Sequence, residues 1–418
     1  METSNSITLW HHRDFLKLWT GQTISELGSR ITREGLPLTA VLVLHARPAQ
    51  MGLLAALSGI SVLIFGLAAG VWVDRFRRRP ILIGADMGRA ALLCTIPVAA
   101  TWHSLGMAQL YLVAALTGIL TVFFDVAYQT YLPTLVGRDQ LIEGNTRLMM
   151  SSTAAEIAGP GITGVLVQLI TAPVAILLDA ISFLFSAMTV ALIGKSEPQP
   201  VRQAHEDLWL EALGGLRFIQ RHPLLRPMAA RSLLFFLSMG MMGSLYVLYA
   251  IRVLGLQPAA LGITIAMGGV GGTLGALASS RLVKRFGLGK TFIGSSLLIA
   301  LGTSLLPLAH GAPLVAMCFL LGQQLIGDFG FAVYFINDTS LRQAATPEHV
   351  LGRVNAAMQL MSRGVLPLGA LAGGVLGGWL GVRATIAIAV AAASLSIGFL
   401  IWSPVRKLQS LDSGSPGP

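Results

Sequence analysis

The chain has 418 residues, of which 54% are hydrophobic and only 11% charged, with a mean hydropathy of +0.71. A soluble globular protein carries about a quarter charged residues, so composition excludes a soluble enzyme. The 29 Lys and Arg outnumber the 19 Asp and Glu, but they sit in short loops between apolar runs, which argues for membrane topology and against nucleic acid.

The amino-terminal METSNSITLWHHRDFLKLW is too polar and aromatic for a cleaved signal, so the mature chain is expected to begin near Met1. The apolar runs are then long enough to cross roughly 30 Å of hydrocarbon as helices, and the alternating pattern of a barrel is absent. They fall near 17–44, 50–72, 80–101, 107–132, 146–170, 172–194, 228–252, 258–281, 289–309, 312–338, 353–380 and 382–403, which predicts twelve transmembrane helices. Basic residues occupy alternate loops, among them Arg75 to Arg79, Lys195 to Arg231 and Arg281 to Lys290, whereas the opposite loops hold only Arg47, Arg252 and Arg383. Both termini are therefore expected on the cytoplasmic side.

The central polar stretch 195–227 carries Leu208, Leu210, Leu213, Leu216 and Ile219 at helical spacing, which predicts an amphipathic helix on the cytoplasmic membrane surface. It separates a bundle at 1–194 from a second at 228–404, followed by a tail at 405–418. The halves resemble each other at an offset near 209: GRDQLIEGNTRLMMSS (137–152) corresponds to TPEHVLGRVNAAMQLMS (346–362), and DRFRRRPILIG (74–84) to RLVKRFGLGKTFIG (281–294). Two similar six-helix bundles about a pseudo-two-fold axis would leave a cleft for cargo near the midplane.

The segment GVWVDRFRRR at 70–79 resembles the loop signature Gly-x-Leu-x-Asp-Arg-x-Gly-Arg-Lys of the major facilitator superfamily. Gly70, Asp74, Arg75, Arg78 and Arg79 fit, whereas Trp72 replaces Leu and Arg77 replaces Gly. The segment EIAGPGITG at 156–164 resembles the helix-5 signature of exporters through Gly159, Pro160 and Gly164, with Thr163 in place of a glycine. Shorter phrases, including LLDAISFLFSA (177–187) and FIQRHPLLR (218–226), are similar to the branch containing macrolide efflux proteins and the enterobactin exporter. The resemblance implies an all-α major facilitator fold working by alternating access. It makes 70–79 a cytoplasmic gate, with Gly70 allowing close helix contact, Asp74 meeting a helix amino terminus, and Arg75 and Arg78 pairing with acids such as Asp125. The helix-5 pattern goes with antiport.

Ionisable groups at membrane depth are costly enough to be functional candidates. The first span carries Glu26, Arg30, Arg33 and Glu34, and the four-residue spacings place Glu26, Arg30 and Glu34 on one face. Asp86 and Arg89 on the third span can neutralise each other. Asp125, Glu156, Asp179, Asp328 and Arg363 stand on the fourth, fifth, sixth, tenth and eleventh. Glu26, Asp125 and Asp328 lead as proton carriers, with Glu34, Glu156 and Asp179 behind them and Arg30, Arg33 and Arg363 as charge partners. Fixed salt bridges, such as Glu156 with Arg30 or Arg33 and Asp328 with Arg363, are the alternative. Adaptable cargo contacts are expected from Phe123, Phe124 and Tyr128 on the fourth span, from Phe235, Phe236, Met239, Met242, Tyr246 and Tyr249 on the seventh, and from Phe331, Tyr334, Phe335 and Asn337 on the tenth.

Cys94 and Cys318 lie inside apolar segments at no metal-binding spacing, and the chain holds neither a GxxxxGK[ST] loop nor a catalytic constellation. No metal, cofactor or enzymatic activity is expected. The expectation is a monomeric, multi-pass exporter of the bacterial inner membrane, with a small lipophilic or amphipathic compound, protons and membrane lipids as its partners. Uptake or flipping of a lipid-like or polar solute, and a sensor without flux, are the competing readings.

Overall fold

The computed structural model describes residues 9–73, 75–137, 140–195, 197 and 208–409. Among them every regular element is helical. Long helices run from Arg13–Leu42 (α1), Pro48–Val73 (α2), Arg78–Thr101 (α3), Met107–Leu135 (α4), Leu141–Ile170 (α5) and Ala172–Ala191 (α6). The short Leu208–Arg221 (α7) precedes Leu225–Leu248 (α8), which continues as a π-helical turn over Tyr249–Val253. Pro258–Phe286 (α9), Leu288–Leu308 (α10) and Pro313–Ala344 (α11) follow. A helix broken at Gly364 gives Glu348–Arg363 (α12) and Leu366–Leu380 (α13), and Val382–Leu395 (α14) with Gly398–Ile401 (α15) completes the set.

Eleven helices among the described residues are long and apolar enough to cross a membrane. The expected first span, α1, is 30 residues long but falls outside that set, because Glu26, Arg30, Arg33 and Glu34 interrupt its apolar character. A helix of that length still reaches about 45 Å, enough to cross.

The chain forms two compact units, one of residues 1–44 and 64–204 and the other of 45–63 and 205–418. In the first, α1 packs on α5 and α6, and α3 packs on α4 and α6. In the second the scheme recurs: α8 packs on α13 and α14, and α10 on α11 and α14. The repeated pairing is the structural counterpart of the sequence repeat. Residues 45–63 group with the second unit because Gly52 brings α2 against the α13 backbone, where an added Cβ would come within 2.6 Å of the Ala370 carbonyl oxygen.

The connection between α5 and α6 is a single residue, Thr171, at φ +75° and ψ 156°. Gly381, 210 positions on, joins α13 to α14 at φ +84° and ψ 156°. The same hinge is thus built twice, once on a glycine and once on a β-branched residue.

Helix α7 stands where the amphipathic pattern predicts a helix; its Gly215 lies against the α12 backbone at Arg353, and its Ile219 joins a core with Val354, Ala357 and Met358. The side chains of 208–213, including Leu208, Leu210 and Leu213, lie outside the described residues.

Two of the three basic residues that break the loop pattern are tied to backbone carbonyls. Arg383 Nη2 donates to Ala309 O at 2.7 Å, its Nε donates to the Tyr249 hydroxyl at 3.2 Å, and Arg252 Nη1 donates to Ala46 O at 2.9 Å. These guanidinium groups supply partners to carbonyls of the buried Ala46 and Ala309, a local use that overrides the charge bias. Tyr249 is fully buried in that arrangement and presents no face to a cargo.

Candidate functional site

The first unit gathers the α1 charges against α5. Arg30 Nη1 lies 3.3 Å from Glu156 Oε1, with the Arg30 side chain mostly covered and the Glu156 side chain 61% exposed. The arginine reaches it by lying across Gly159, where an added Cβ would sit 2.6 Å from Arg30 Cβ and 2.7 Å from its Cγ. The first glycine of the helix-5 motif is therefore the seat of a membrane-depth arginine. Pro160 follows it, and Thr163 Oγ1 donates to Gly159 O at 2.8 Å, so Thr163 supplies a backbone partner where the family carries glycine. Gly164 is buried on the same helix. Arg33 stands in the field of Arg30, Glu34, Glu156 and Glu26, and Glu26 acts on Tyr128 of α4. These groups form one charged face.

Deeper in the same unit, Asp86 and Arg89 form the expected ion pair on α3, both fully or nearly buried. The Arg89 guanidinium is sandwiched between the rings of Phe124 (4.3 Å) and Phe183 (4.1 Å) and reaches Thr121. Phe124 is thereby committed to Arg89, with Tyr128 stacked behind it at 6.0 Å. Asp179 is fully buried on α6, where it accepts from Ser182 Oγ at 3.0 Å. Asp125 stands exposed on α4.

At the end of this unit where α2 meets α3, the gate segment is held by an acid the sequence reading passed over. Glu197 accepts from the backbone N–H groups of Arg78 (2.7 Å) and Arg79 (3.1 Å), which caps α3, and pairs with the Arg78 guanidinium at 3.5 Å. Arg78 Nε also donates to Thr130 Oγ1 at 3.3 Å, and Arg79 donates to Ala191 O. Asp14 does the same for the segment after α6: it accepts from Gly194 N (3.1 Å), Lys195 N (3.0 Å) and Lys17 Nζ (2.8 Å). Burial pushes the Asp14 carboxyl up, but Lys17 and the two amides outweigh it and hold the pKa below the usual aspartate value. Asp74 lies outside the described residues. The close helix contact expected at Gly70 is not found: among the described residues a Cβ there would meet nothing within 4 Å. Phe123, a cargo candidate, lines a groove of about 630 Å³ with Trp72, Phe76 and Arg77.

In the second unit, the Asp328 carboxylate lies against Gly268 of α9, beside Gln324. Arg363 stands exposed at the last turn of α12, next to the break. Asn337 Nδ2 donates to Ser279 Oγ at 3.0 Å and to Val333 O at 2.7 Å, which makes it a link between α9 and α11. Phe235, Phe331 and Phe335 form a stack with centroids 6.1 and 5.9 Å apart, and Phe236 meets Phe235 edge-on. Phe335 is exposed, whereas Phe235, Met242 and Tyr334 are buried and Phe236, Met239, Tyr246 and Phe331 half-buried.

A second charged cluster escaped the sequence reading. Arg231, the largest fully buried side chain among the described residues, lies 3.5 Å from the Tyr334 ring centroid and 4.6 Å from that of Phe235. The Tyr334 hydroxyl donates to Asp338 Oδ1 at 3.1 Å, and Arg342 Nη1 lies 3.6 Å from Asp338 Oδ2. Arg231 and Asp338 both fall at the edges of apolar runs, where they read as loop charges. The available signals were their position inside helices long enough to continue past them and the four-residue spacing of Tyr334, Asp338 and Arg342.

No group of three or more His, Cys, Asp or Glu among the described residues is arranged to hold a metal. Long apolar helices in two repeated bundles, with charges paired at membrane depth, define a multi-pass membrane transporter rather than an enzyme. The sequence profile of the Major Facilitator Superfamily matches residues 18–366, and the chain belongs to that family. Relatives include the MFS-type transporter YfiS of Bacillus subtilis, 25% identical over 89% of this chain and 88% of that protein. The multidrug efflux pump Tap of Mycolicibacterium fortuitum is 26% identical over 85% and 87%. The enterobactin exporter EntS of Salmonella paratyphi A is 24% identical over 97% and 95%. Among solved structures, a bacterial homologue of the iron transporter ferroportin in an inward-facing state superposes with a TM-score of 0.73 at 18% identity, covering 93% of this chain and 98% of the other, which shows a shared fold.

Proposed function

We propose that the protein is a proton-driven exporter of a small lipophilic or amphipathic compound, such as an antibiotic, a siderophore or another secondary metabolite. It works in the bacterial cytoplasmic membrane as a monomer, with both termini cytoplasmic and bundles at 1–194 and 228–404 alternating around the cargo. The observation that carries this reading is the Arg30–Glu156 pair seated on Gly159 within the exporter-like motif. An exposed carboxylate facing a covered arginine at membrane depth is where water reaches a charge pair, which suits it to serve as the proton exchange point. Glu26 and Glu34 on the same face hand the proton along α1, and cargo competes for the charge thus exposed. The names of Tap and EntS as efflux proteins support export over uptake.

The test is accumulation of a panel of dyes and antibiotics in cells expressing wild type, Glu26→Gln or Glu156→Gln, with and without a protonophore. The expected result is lowered accumulation with wild type, abolished by the protonophore and absent in both variants at equal membrane levels. Lowered accumulation that persists with the protonophore would contradict proton coupling.

A further inference from the structure

The groove beside Phe123 belongs to the first unit alone and has a polarity that the export reading does not use. Its floor is one face of α3, where Arg77, Pro80, Ile81, Gly84 and Ala85 recur at helical spacing. From Arg77 to Ala85 that face runs about 12 Å inward from the loop. Its walls are Trp72 and Phe76 on one side and Leu120 and Phe123 on the other, with the Trp72 ring 5.5 Å from Phe76 and 6.1 Å from Phe123. Trp72 is 59% and Phe76 51% exposed, so a large aromatic surface stands open. At about 630 Å³ the groove lies within the roughly 300–1,000 Å³ of small-molecule sites.

Charge is confined to one end. Arg77 is the single ionisable side chain in the lining, and among the described residues no carboxylate pairs with it. Its neighbours are committed elsewhere: Arg78 to Glu197 and Thr130, and Arg79 to Ala191 O. An apolar slot with a cation at its loop end that no described carboxylate pairs, beside an exposed tryptophan, has the layout of a lipid: headgroup at the interface and chain below it. We propose that this groove binds one anionic phospholipid, its phosphate on Arg77 and its acyl chain along Gly84 between Leu120 and Phe123. The occupant is drawn from the surrounding leaflet, and it bears on the gate segment because Trp72, Val73, Phe76 and Arg77 are part of both.

Gly84 supplies the means of closing the slot, since a Cβ there would meet nothing within 4 Å and a larger side chain has room to enter. The full chain is reconstituted in phosphatidylcholine vesicles in which a minor fraction of the lipid is replaced by either phosphatidylglycerol or phosphatidylcholine with brominated acyl chains, which quench tryptophan on contact. The chain has seven Trp, so the Trp72 signal is taken as wild type minus Trp72→Phe. The expected result is several-fold stronger quenching of Trp72 by brominated phosphatidylglycerol than by brominated phosphatidylcholine. Arg77→Gln removes that preference while leaving some quenching, and Gly84→Leu lowers quenching by both lipids while the other tryptophans respond as in wild type. Equal quenching by the two lipids in wild type would reduce the groove to ordinary bilayer contact and overturn the proposal. Absence of quenching, or quenching unchanged by Gly84→Leu, would overturn it as well.

Discussion

Single residues carry more of this protein's architecture than their position in the sequence discloses. Gly159 is one such residue: in the sequence it is one of 47 glycines, and its meaning comes from the Arg30 stem that crosses it. Gly159→Ala puts a methyl group where Arg30 Cβ and Cγ lie, an overlap worth about 1–3 kcal/mol that moves the arginine off Glu156. Efflux is expected to fall roughly tenfold or more, since about 1.4 kcal/mol is a factor of ten, with membrane levels of the protein near wild type. Asp14 gives a prediction in pH. Its pKa is lowered in the folded state, so the stability it adds is present above the ordinary aspartate pKa and disappears as pH falls through the folded value. In thermal unfolding, wild type is expected to exceed Asp14→Asn at neutral pH, with the gap closing on acidification. The Asp86–Arg89 pair was legible because its members are three residues apart on one helix, and the α1 charges because their four-residue spacing gathers them on one face. Arg231 and Arg78 find Tyr334 and Glu197 about a hundred residues away on another helix or loop, which spacing along one helix does not reveal, whereas Asp338 has Tyr334 and Arg342 four residues to either side on α11 and was passed over because it stands at the edge of an apolar run.

At the scale of elements, the spans were readable because lipid demands a run of about 20 apolar residues and leaves little freedom in how it is met. What composition did not disclose was where helices break or turn. The eleventh predicted span divides at Gly364, where an added Cβ would press on Leu360 and Leu63, and Pro367 starts the second piece. The Thr171 hinge is the clearest case of an element under strain. Its backbone occupies a region that is essentially reserved for glycine and costs about 1–3 kcal/mol for other residues. Its counterpart Gly381 shows the unstrained solution. Thr171 is exposed, so Thr171→Gly removes strain without emptying a packed site, offset by the roughly 0.5–1 kcal/mol of added chain freedom in the unfolded state. A net gain of about 1 kcal/mol is expected, read as a higher melting temperature in detergent. Gly381→Thr is expected to move it the other way.

At the scale of the whole molecule, the sequence announced duplication and the two units show it as the same helix pairings built twice. The duplication is not carried through the charges. The first unit holds an acid-rich face on α1 and α5, while the second sets a buried arginine, Arg231, and a half-buried one, Arg342, around the buried Asp338. Such asymmetry is what a coupled transporter requires, because proton exchange needs an acid that reaches water, whereas a sealed cluster serves packing. The central claim is that the accessible acids of the first unit exchange protons against cargo. Its most direct test uses purified protein in liposomes with an acidic lumen and a luminal pH dye, with a compound taken from the cellular panel. On addition of that compound, wild type is predicted to raise luminal pH as the compound enters, and Glu156→Gln to do neither. Uptake of the compound by wild type with no change in luminal pH, and at the same rate without a pH gradient, would contradict the account.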